Sequence, residues 1–425
     1  VIKINEKIKR MLIEFNPFWK APMKLEYRDR LVYPSIKSLV KEPQIISLCG
    51  LRRVGKTTIL MKIIQDLLKD ESPDSILYFS FDDFPKAELL DIIDAFKDIH
   101  GKEPKFLFFD EIQKLPNWAE KVKVLYDTKK YKILISGSES LFLRKGSRES
   151  LAGRIYEFEI NGLVFAEYLG FVDKKDMIAK PQLYQRELQA EMKKYFLTGG
   201  FPELIGKDKE LIKRYIRTAI LEKIVFLDMT RIYPIDNPSQ LISILNILID
   251  NPGMIVDYSS FSQELGISRQ TVSKYFDYLE KAHLVVKLYN FSKNRSTSEK
   301  KIKKYYPTFL SPALLAEDTA SKQGKIAETF CVIDSGAEFF WRDSFKDEVD
   351  IVIEEDKQIF PVEIKYQNKP KKNKGLEKFC DKYSCKKAMI ITKDMRKHET
   401  NFAEVDWLPI YEFLIRYAGH KSNSH

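Results

Sequence analysis

Residues 50–58 read Gly50-Leu51-Arg52-Arg53-Val54-Gly55-Lys56-Thr57-Thr58. This is G-x-x-x-x-G-K-T, a spacing that lets a loop close around phosphate. Gly50 and Gly55 allow backbone N–H groups to approach the oxygens, and the N-terminus of a following helix adds positive potential. Lys56 is then placed to reach the β- and γ-phosphates of a nucleoside triphosphate. Thr57 would hold Mg²⁺ through its hydroxyl, with Thr58 beside it. Arg53 and its neighbour Arg52 are unusual inside such a loop; they can meet phosphate or a nearby carboxylate, and the sequence leaves both open.

The surrounding pattern supports that chemistry. An apolar run, Ile45-Ile46-Ser47-Leu48-Cys49, precedes the loop, and Ile59-Leu60-Met61 opens a helical pattern after it. Strand, glycine loop and helix are the context a phosphate site needs. Downstream, Phe106-Leu107-Phe108-Phe109-Asp110-Glu111 reads as a Walker B strand. Asp110 would hold Mg²⁺ directly or through water. Glu111 would orient and polarise the attacking water, a role worth typically ~10²–10⁴-fold in rate. A plainer reading makes the acidic pair a cap on the next helix. The strand Lys132–Ser136 ends in Ser136-Gly137-Ser138, where additional-strand NTPases sense the γ-phosphate, and Ser138 is the candidate sensor. Arg144, Arg148 and Arg154 are candidate arginine fingers; Arg154, just before a strand, fits best.

These residues must be carried by alternating elements. Strands are expected at 76–81, 106–109, 132–136 and 155–160, with helices at 89–96 and 118–126. That alternation predicts a parallel sheet covered by helices. Residues 162–235 read as helical, with a loop at Thr198-Gly199-Gly200-Phe201-Pro202. With 425 residues the chain has room for two to four domains, and 44% hydrophobic content suffices for their cores. No stretch is apolar enough to span a bilayer, and the first residues do not read as a signal peptide. Four cysteines without C-x-x-C spacing exclude a cysteine-only zinc finger and suit a reducing cytoplasm. The net charge of +10 favours a polyanionic partner, although a lysine-rich surface laced with ion pairs explains it equally well.

Residues 240–290 have a different logic. An apolar helix at 242–249 and a short helix at 259–265 lead through Gly266-Ile267-Ser268 to a third helix at 269–279. Val272, Phe276 and Leu279 share its inner face, leaving Arg269, Gln270, Ser273, Lys274 and Asp277 outside. A strand at 284–289 follows. This is helix-turn-helix geometry with a wing, able to enter a DNA major groove. Arg269 and Gln270 could read base edges, and Ser273 and Lys274 could meet the backbone. Such helices also pack against protein domains. Ser292–Lys301 reads as a loop or hairpin tip, where Arg295 and Lys300 to Lys304 would extend the basic surface.

The last third holds a second set of acids. Glu328 lies on a helical stretch, Asp350 in Glu348–Ile353, and Glu363-Ile364-Lys365 in the next strand. The thirteen positions between Asp350 and Glu363 suit a hairpin that brings the two together. Strand alternation places Glu363 and Lys365 on one face. Glu328, Asp350 and Glu363 would bind Mg²⁺ and Lys365 would stabilise developing charge, the D…E-x-K arrangement of nucleases. Lys369, Lys371, Lys372 and Lys374 could grip a phosphate backbone. The alternative is a fold retained without catalysis, its acids paired to lysines.

Taken in order, the loop at 50–58, Asp110-Glu111-Ile112-Gln113, Ser136-Gly137-Ser138, Leu151-Ala152-Gly153-Arg154 and Gly199-Gly200-Phe201-Pro202-Glu203 resemble the archaeal and bacterial AAA+-like ATPases that carry a nuclease-like C-terminal domain. Ser-Glu-Ser at the sensor position, with Glu139, departs from a simple polar sensor. The resemblance implies an α/β protein with a P-loop ATPase core (1–160), a helical lid (161–238), a winged helix-turn-helix (239–310) and a PD-(D/E)xK, restriction-endonuclease-like domain (311–425). The expected cofactors are ATP and Mg²⁺; the expected partner is DNA, with homo-oligomers formed through an arginine finger and no membrane. The leading functional expectation is a DNA-acting ATPase with metal-dependent nuclease chemistry. The alternative is an ATP-driven regulatory switch whose distal domains contact protein without cleavage.

Overall fold

The computed structural model describes residues 2–128, 130–137, 151–317, 319–355, 358–367 and 374–419. They fall into two compact units, 1–161 and 162–425.

The first unit is built on five parallel strands: β1 (Ile45–Cys49), β2 (Ile76–Ser80), β3 (Phe106–Asp110), β4 (Lys132–Ser136) and β5 (Ile155–Glu159). Their order is β2-β3-β4-β1-β5. Every residue of β1, β2 and β3 is buried, which is why they read as unbroken apolar runs instead of alternating ones. The helix Lys56–Leu67 buries Ile59, Leu60, Ile63 and Ile64. The helices Leu89–His100 and Trp118–Asp127 each bury a similar apolar stripe. The first helix, Ile2–Phe15, is joined to the sheet by Asn16. The Asn16 amide donates to the Tyr78 carbonyl at 2.8 Å and accepts from the Tyr78 N–H at 2.8 Å. A side chain thus supplies the pairing that edge strand β2 would otherwise lack.

The second unit begins with helices, including Phe165–Phe171 and Gln185–Thr198, as the sequence predicts. Residues Tyr215–Glu222 and Ile224–Met229 are wound as wider π-type turns, which composition does not signal. Helices Pro238–Asp250, Tyr258–Leu265 and Arg269–Lys281 follow. The nine strands are β6 (Met254–Ile255), β7 (Val285–Asn290), β8 (Lys303–Pro307), β9 (Phe339–Arg342), β10 (Glu348–Glu355), β11 (Gln358–Lys365), β12 (Lys387–Thr392), β13 (Lys397–Thr400) and β14 (Glu404–Pro409). They form one sheet in the order β13-β14-β12-β11-β10-β9-β7-β8-β6. Two expectations change here. A boundary at 310/311 separates no sheets, because β7 pairs with β8 on one side and in parallel with β9 on the other. Ser292–Lys301 is not a plain hairpin tip: Arg295–Lys300 is a short helix whose N-cap, Asn294, accepts from the Thr297 N–H.

A buried carboxyl group joins the helices of this unit. Asp334, on the helix Ala320–Ser335, accepts from the Tyr195 hydroxyl at 2.7 Å and the Phe165 N–H at 2.9 Å. Burial pushes its pKa up to about 7. The folded chain therefore holds a proton that the unfolded chain releases near pH 4. Stability from this group is complete below the unfolded pKa and is lost as pH rises through about 7. The slope contributed should approach, and not exceed, about 1.4 kcal/mol per pH unit. Urea titrations of the wild type and Asp334→Asn between pH 4 and 8 should show that slope in the wild type only; equal slopes would refute the assignment.

Candidate functional site

The phosphate loop leaves the C-terminal end of β1. Gly50 has φ +141°, and a Cβ there would lie 2.2 Å from the Ile160 carbonyl oxygen, so only glycine lets the loop pass β5. Gly55, at φ +97°, is the left-handed residue from which the helix Lys56–Leu67 starts. Lys56 is 5% exposed. Its ammonium donates to the carbonyls of Gly50 at 3.1 Å and Leu51 at 2.7 Å, so it lies across the mouth of the loop. Burial lowers its pKa, opposed by the charges of Glu111 and Asp110. Arg53 is exposed with a left-handed backbone (φ 65°), and Thr58 is exposed in the first helical turn.

Asp110 ends β3 and is the hub of the site. Its Oδ2 accepts from Thr57 Oγ1 at 2.7 Å and from the Tyr78 hydroxyl at 3.0 Å. Its Oδ1 accepts from the Glu111 N–H at 3.1 Å and from the Ser136 hydroxyl. Burial and Asp110 hold the Tyr78 hydroxyl protonated well above the usual tyrosine range. The two residues expected to share Mg²⁺ are thus adjacent. Hard hydroxyl and carboxylate oxygens at this spacing fit a cation that takes few protein ligands and completes its shell with water and phosphate. Glu111 follows at φ 52°, a left-handed conformation, and Gln113 Nε2 donates to its carboxylate at 2.6 Å. Backbone strain at a residue beside a phosphate loop suits a group aimed at one place.

The tertiary structure adds contacts and removes one. Arg30, 6% exposed, donates to the carbonyls of Val54 and Asn161, each at 2.7 Å. It clamps the phosphate loop to the end of β5, and the sequence offers no signal beyond a charged Arg28-Asp29-Arg30. Tyr78 and Ser136 are likewise recruited through the sheet. Arg154, in contrast, does not approach this chain's loop. It precedes β5 at the end where β1 begins, its carbonyl accepts from Ile45 N–H at 2.8 Å, and its guanidinium pairs with Asp127 at 3.1 Å. Arg154 therefore lies at the opposite end of these strands from the loop, because β1 and β5 run parallel. Ser138, Glu139, Arg144 and Arg148 lie outside the described residues.

Residues 42–169 match the family described as AAA domain. Residues 189–317 and 323–413 match two domains of unknown function, DUF8612 and DUF4143. An uncharacterized protein of Methanocaldococcus jannaschii is 29% identical over 307 residues, covering 70% of this chain and 68% of that one. An uncharacterized protein of Haemophilus influenzae is 32% identical over 250 residues, covering 56% and 60%. The chain thus spans roughly three fifths to two thirds of these relatives. The Orc1 protein of Aeropyrum pernix, solved in complex with DNA, aligns over 74% of this chain and 96% of its own at 11% identity, with a TM-score of only 0.32.

In the second unit the helix Arg269–Lys281 buries Val272, Tyr275, Phe276 and Leu279 and exposes Arg269, Gln270, Ser273 and Lys274, with Ser268 as its N-cap. Arg295 is exposed on the short helix after β7. The acids behave differently from expectation. Asp350 and Glu363 do face one another across β10 and β11, and the Ile364 N–H donates to Asp350 at 2.8 Å. Yet Glu328, Asp350 and Glu363 do not form a metal-ligand set: among the described residues, no group of three or more acidic, histidine or cysteine side chains is arranged to hold an ion. Lys304, expected on a basic wing, is buried on β8 and lies among the acids, while Lys365 pairs with Glu363 at 2.6 Å. Lys371, Lys372 and Lys369 lie outside the described residues. Against burial, which pushes it up, Lys304 and Lys325 hold Glu328 down to about 2. Burial, then the charge of Glu328, pushes Asp350 up to about 6.

The Arg30 clamp has a measurable consequence. Arg30→Met strands two buried carbonyls, a loss of ~1–3 kcal/mol, part of it in loop order. Binding of a fluorescent ATP analogue should weaken roughly tenfold. Unchanged affinity in a folded variant would show that the clamp has no part in nucleotide binding.

Proposed function

We propose that this chain is a Mg²⁺-dependent ATPase that acts on DNA through its second unit. The observation that carries the first half is the Thr57–Asp110 contact of 2.7 Å beside the buried Lys56. Thr57 and Asp110 would hold Mg²⁺ there, and the ion would supply neutralisation of phosphate charge. Lys56 would leave the loop carbonyls for the phosphate oxygens. Glu111, oriented by Gln113, would accept a hydrogen bond from the attacking water and align it. Ser136 and Tyr78 would keep the Asp110 carboxylate turned toward Thr57. Arg154, remote from its own loop, would complete the site of a second copy of the chain.

Lys56→Ala should abolish ATP binding and turnover. Glu111→Gln should keep binding and slow turnover by ~10²-fold or more. Arg154→Ala should lower turnover only at protein concentrations where copies associate. A steady-state phosphate-release assay with equilibrium binding separates these outcomes, and ATPase activity surviving Lys56→Ala would overturn the site.

The DNA half rests on the exposed polar row of the helix Arg269–Lys281, opposite a buried apolar face. That row, with the β7–β8 hairpin, supports a winged-helix reading, and the Asp350–Glu363–Lys365 strands support a nuclease-like fold for residues 311–425. Phosphate contacts predict binding that weakens steeply between about 50 and 200 mM salt. Fluorescence anisotropy with duplex DNA should register this, with Lys274→Glu weakening binding across unrelated sequences. Absence of binding at low salt would leave the second reading, an ATP-driven switch that contacts protein. One observation favours that second reading over a nuclease: the lysine among the carboxylates.

A further inference from the structure

The carboxylate cluster of the second unit encloses a lysine. Lys304, 2% exposed, places Nζ 2.5 Å from Glu348, 3.3 Å from Glu328 and 3.8 Å from Asp350. Its ammonium also lies 5.4 Å from the centre of the Phe340 ring. Several of the neighbouring carboxylate oxygens also have partners. Glu328 accepts from the Tyr306 hydroxyl at 2.7 Å and pairs through Oε2 with Lys325 at 2.8 Å. Glu348 meets Arg342 at 3.6 Å, Asp350 accepts from the Ile364 N–H at 2.8 Å, and Glu363 pairs with Lys365 at 2.6 Å. Four carboxylates therefore face four cations: Lys304, Lys325, Arg342 and Lys365. A divalent cation at this place would add two positive charges to a balanced buried cluster and meet an ammonium at contact distance.

We infer that Lys304 is a built-in cation standing where a nuclease-like fold would hold a divalent metal. The cluster is thus a structural junction between β8, the helix Ala320–Ser335 and the β10–β11 hairpin. The second unit, when it binds nucleic acid, binds without cutting. The lysine among the acids comes from β8, a strand of the same sheet separated from β10 by β9 and β7. This inference is independent of the nucleotide site, so loss of one leaves the other standing.

The test uses the full chain without nucleotide and Mn²⁺ as the probe, read by the electron paramagnetic resonance of free ion. Wild type and Asp350→Asn should bind the same amount of Mn²⁺, because Asp350 ligates none. Lys304→Met should gain one Mn²⁺ site, absent from the Lys304→Met, Asp350→Asn double variant. Mn²⁺ bound by the wild type and lost in Asp350→Asn would overturn the inference. So would a folded Lys304→Met that gains no site, or Mn²⁺-dependent cleavage of labelled DNA abolished by Asp350→Asn. Should Lys304→Met fail to fold, the wild-type and Asp350→Asn comparison decides the matter alone.

Discussion

The Asp110 carboxylate is the contact on which the nucleotide domain depends. It ends β3, yet its oxygens gather Thr57 from the start of the first core helix, Tyr78 from β2, Ser136 from β4 and the backbone of Glu111. A buried carboxylate is costly unless its lone pairs are satisfied. Here the satisfying groups come from two other strands, the helix after the phosphate loop and the residue that follows Asp110. Aligning them requires the strand order in which β4 lies between β1 and β3. One carboxyl group thereby converts sheet topology into the spacing of the candidate site's residues.

The second unit uses the opposite device. Its central buried charge is a cation, Lys304, and the acids paired with it are drawn from a helix and from β10. In the first unit the carboxylate oxygens are paired to hydroxyls and a backbone N–H, partners that can give way to a metal ion. In the second, besides the Tyr306 hydroxyl and the Ile364 N–H, the partners are ammonium and guanidinium groups. The difference lies in the charge of the partners, since both clusters sit at the ends or flanks of well-packed strands.

Much of this was legible in the chain. The loop at 50–58 and the strand before Asp110 combine turn chemistry with apolar runs, and both are local patterns. The parallel strands were readable because full burial demands unbroken hydrophobicity, and the helix Arg269–Lys281 because one face repeats at helical spacing. Arg30, Tyr78 and Ser136 were not legible, since each acts on residues at least 24 positions away and carries no motif of its own. The distance of Arg154 from its own loop was not legible for a related reason. Preceding a strand says nothing about which end of a neighbouring parallel strand it meets. Lys304 was misread because a run of lysines looks solvated until its strand is paired.

The sequence by itself determined the phosphate loop, the acidic pair at the end of β3, the alternation of strands and helices, and the hairpin that faces Asp350 with Glu363. These follow from steric and hydrophobic rules acting over a few residues. Only the tertiary structure decided which charges meet. It placed Arg30 against the loop, set Arg154 at the far end of the strands from it, joined the strands on either side of residue 310, and set Lys304 among the acids. Electrostatic partnership depends on distance through space and on burial, and neither is encoded in spacing along the chain.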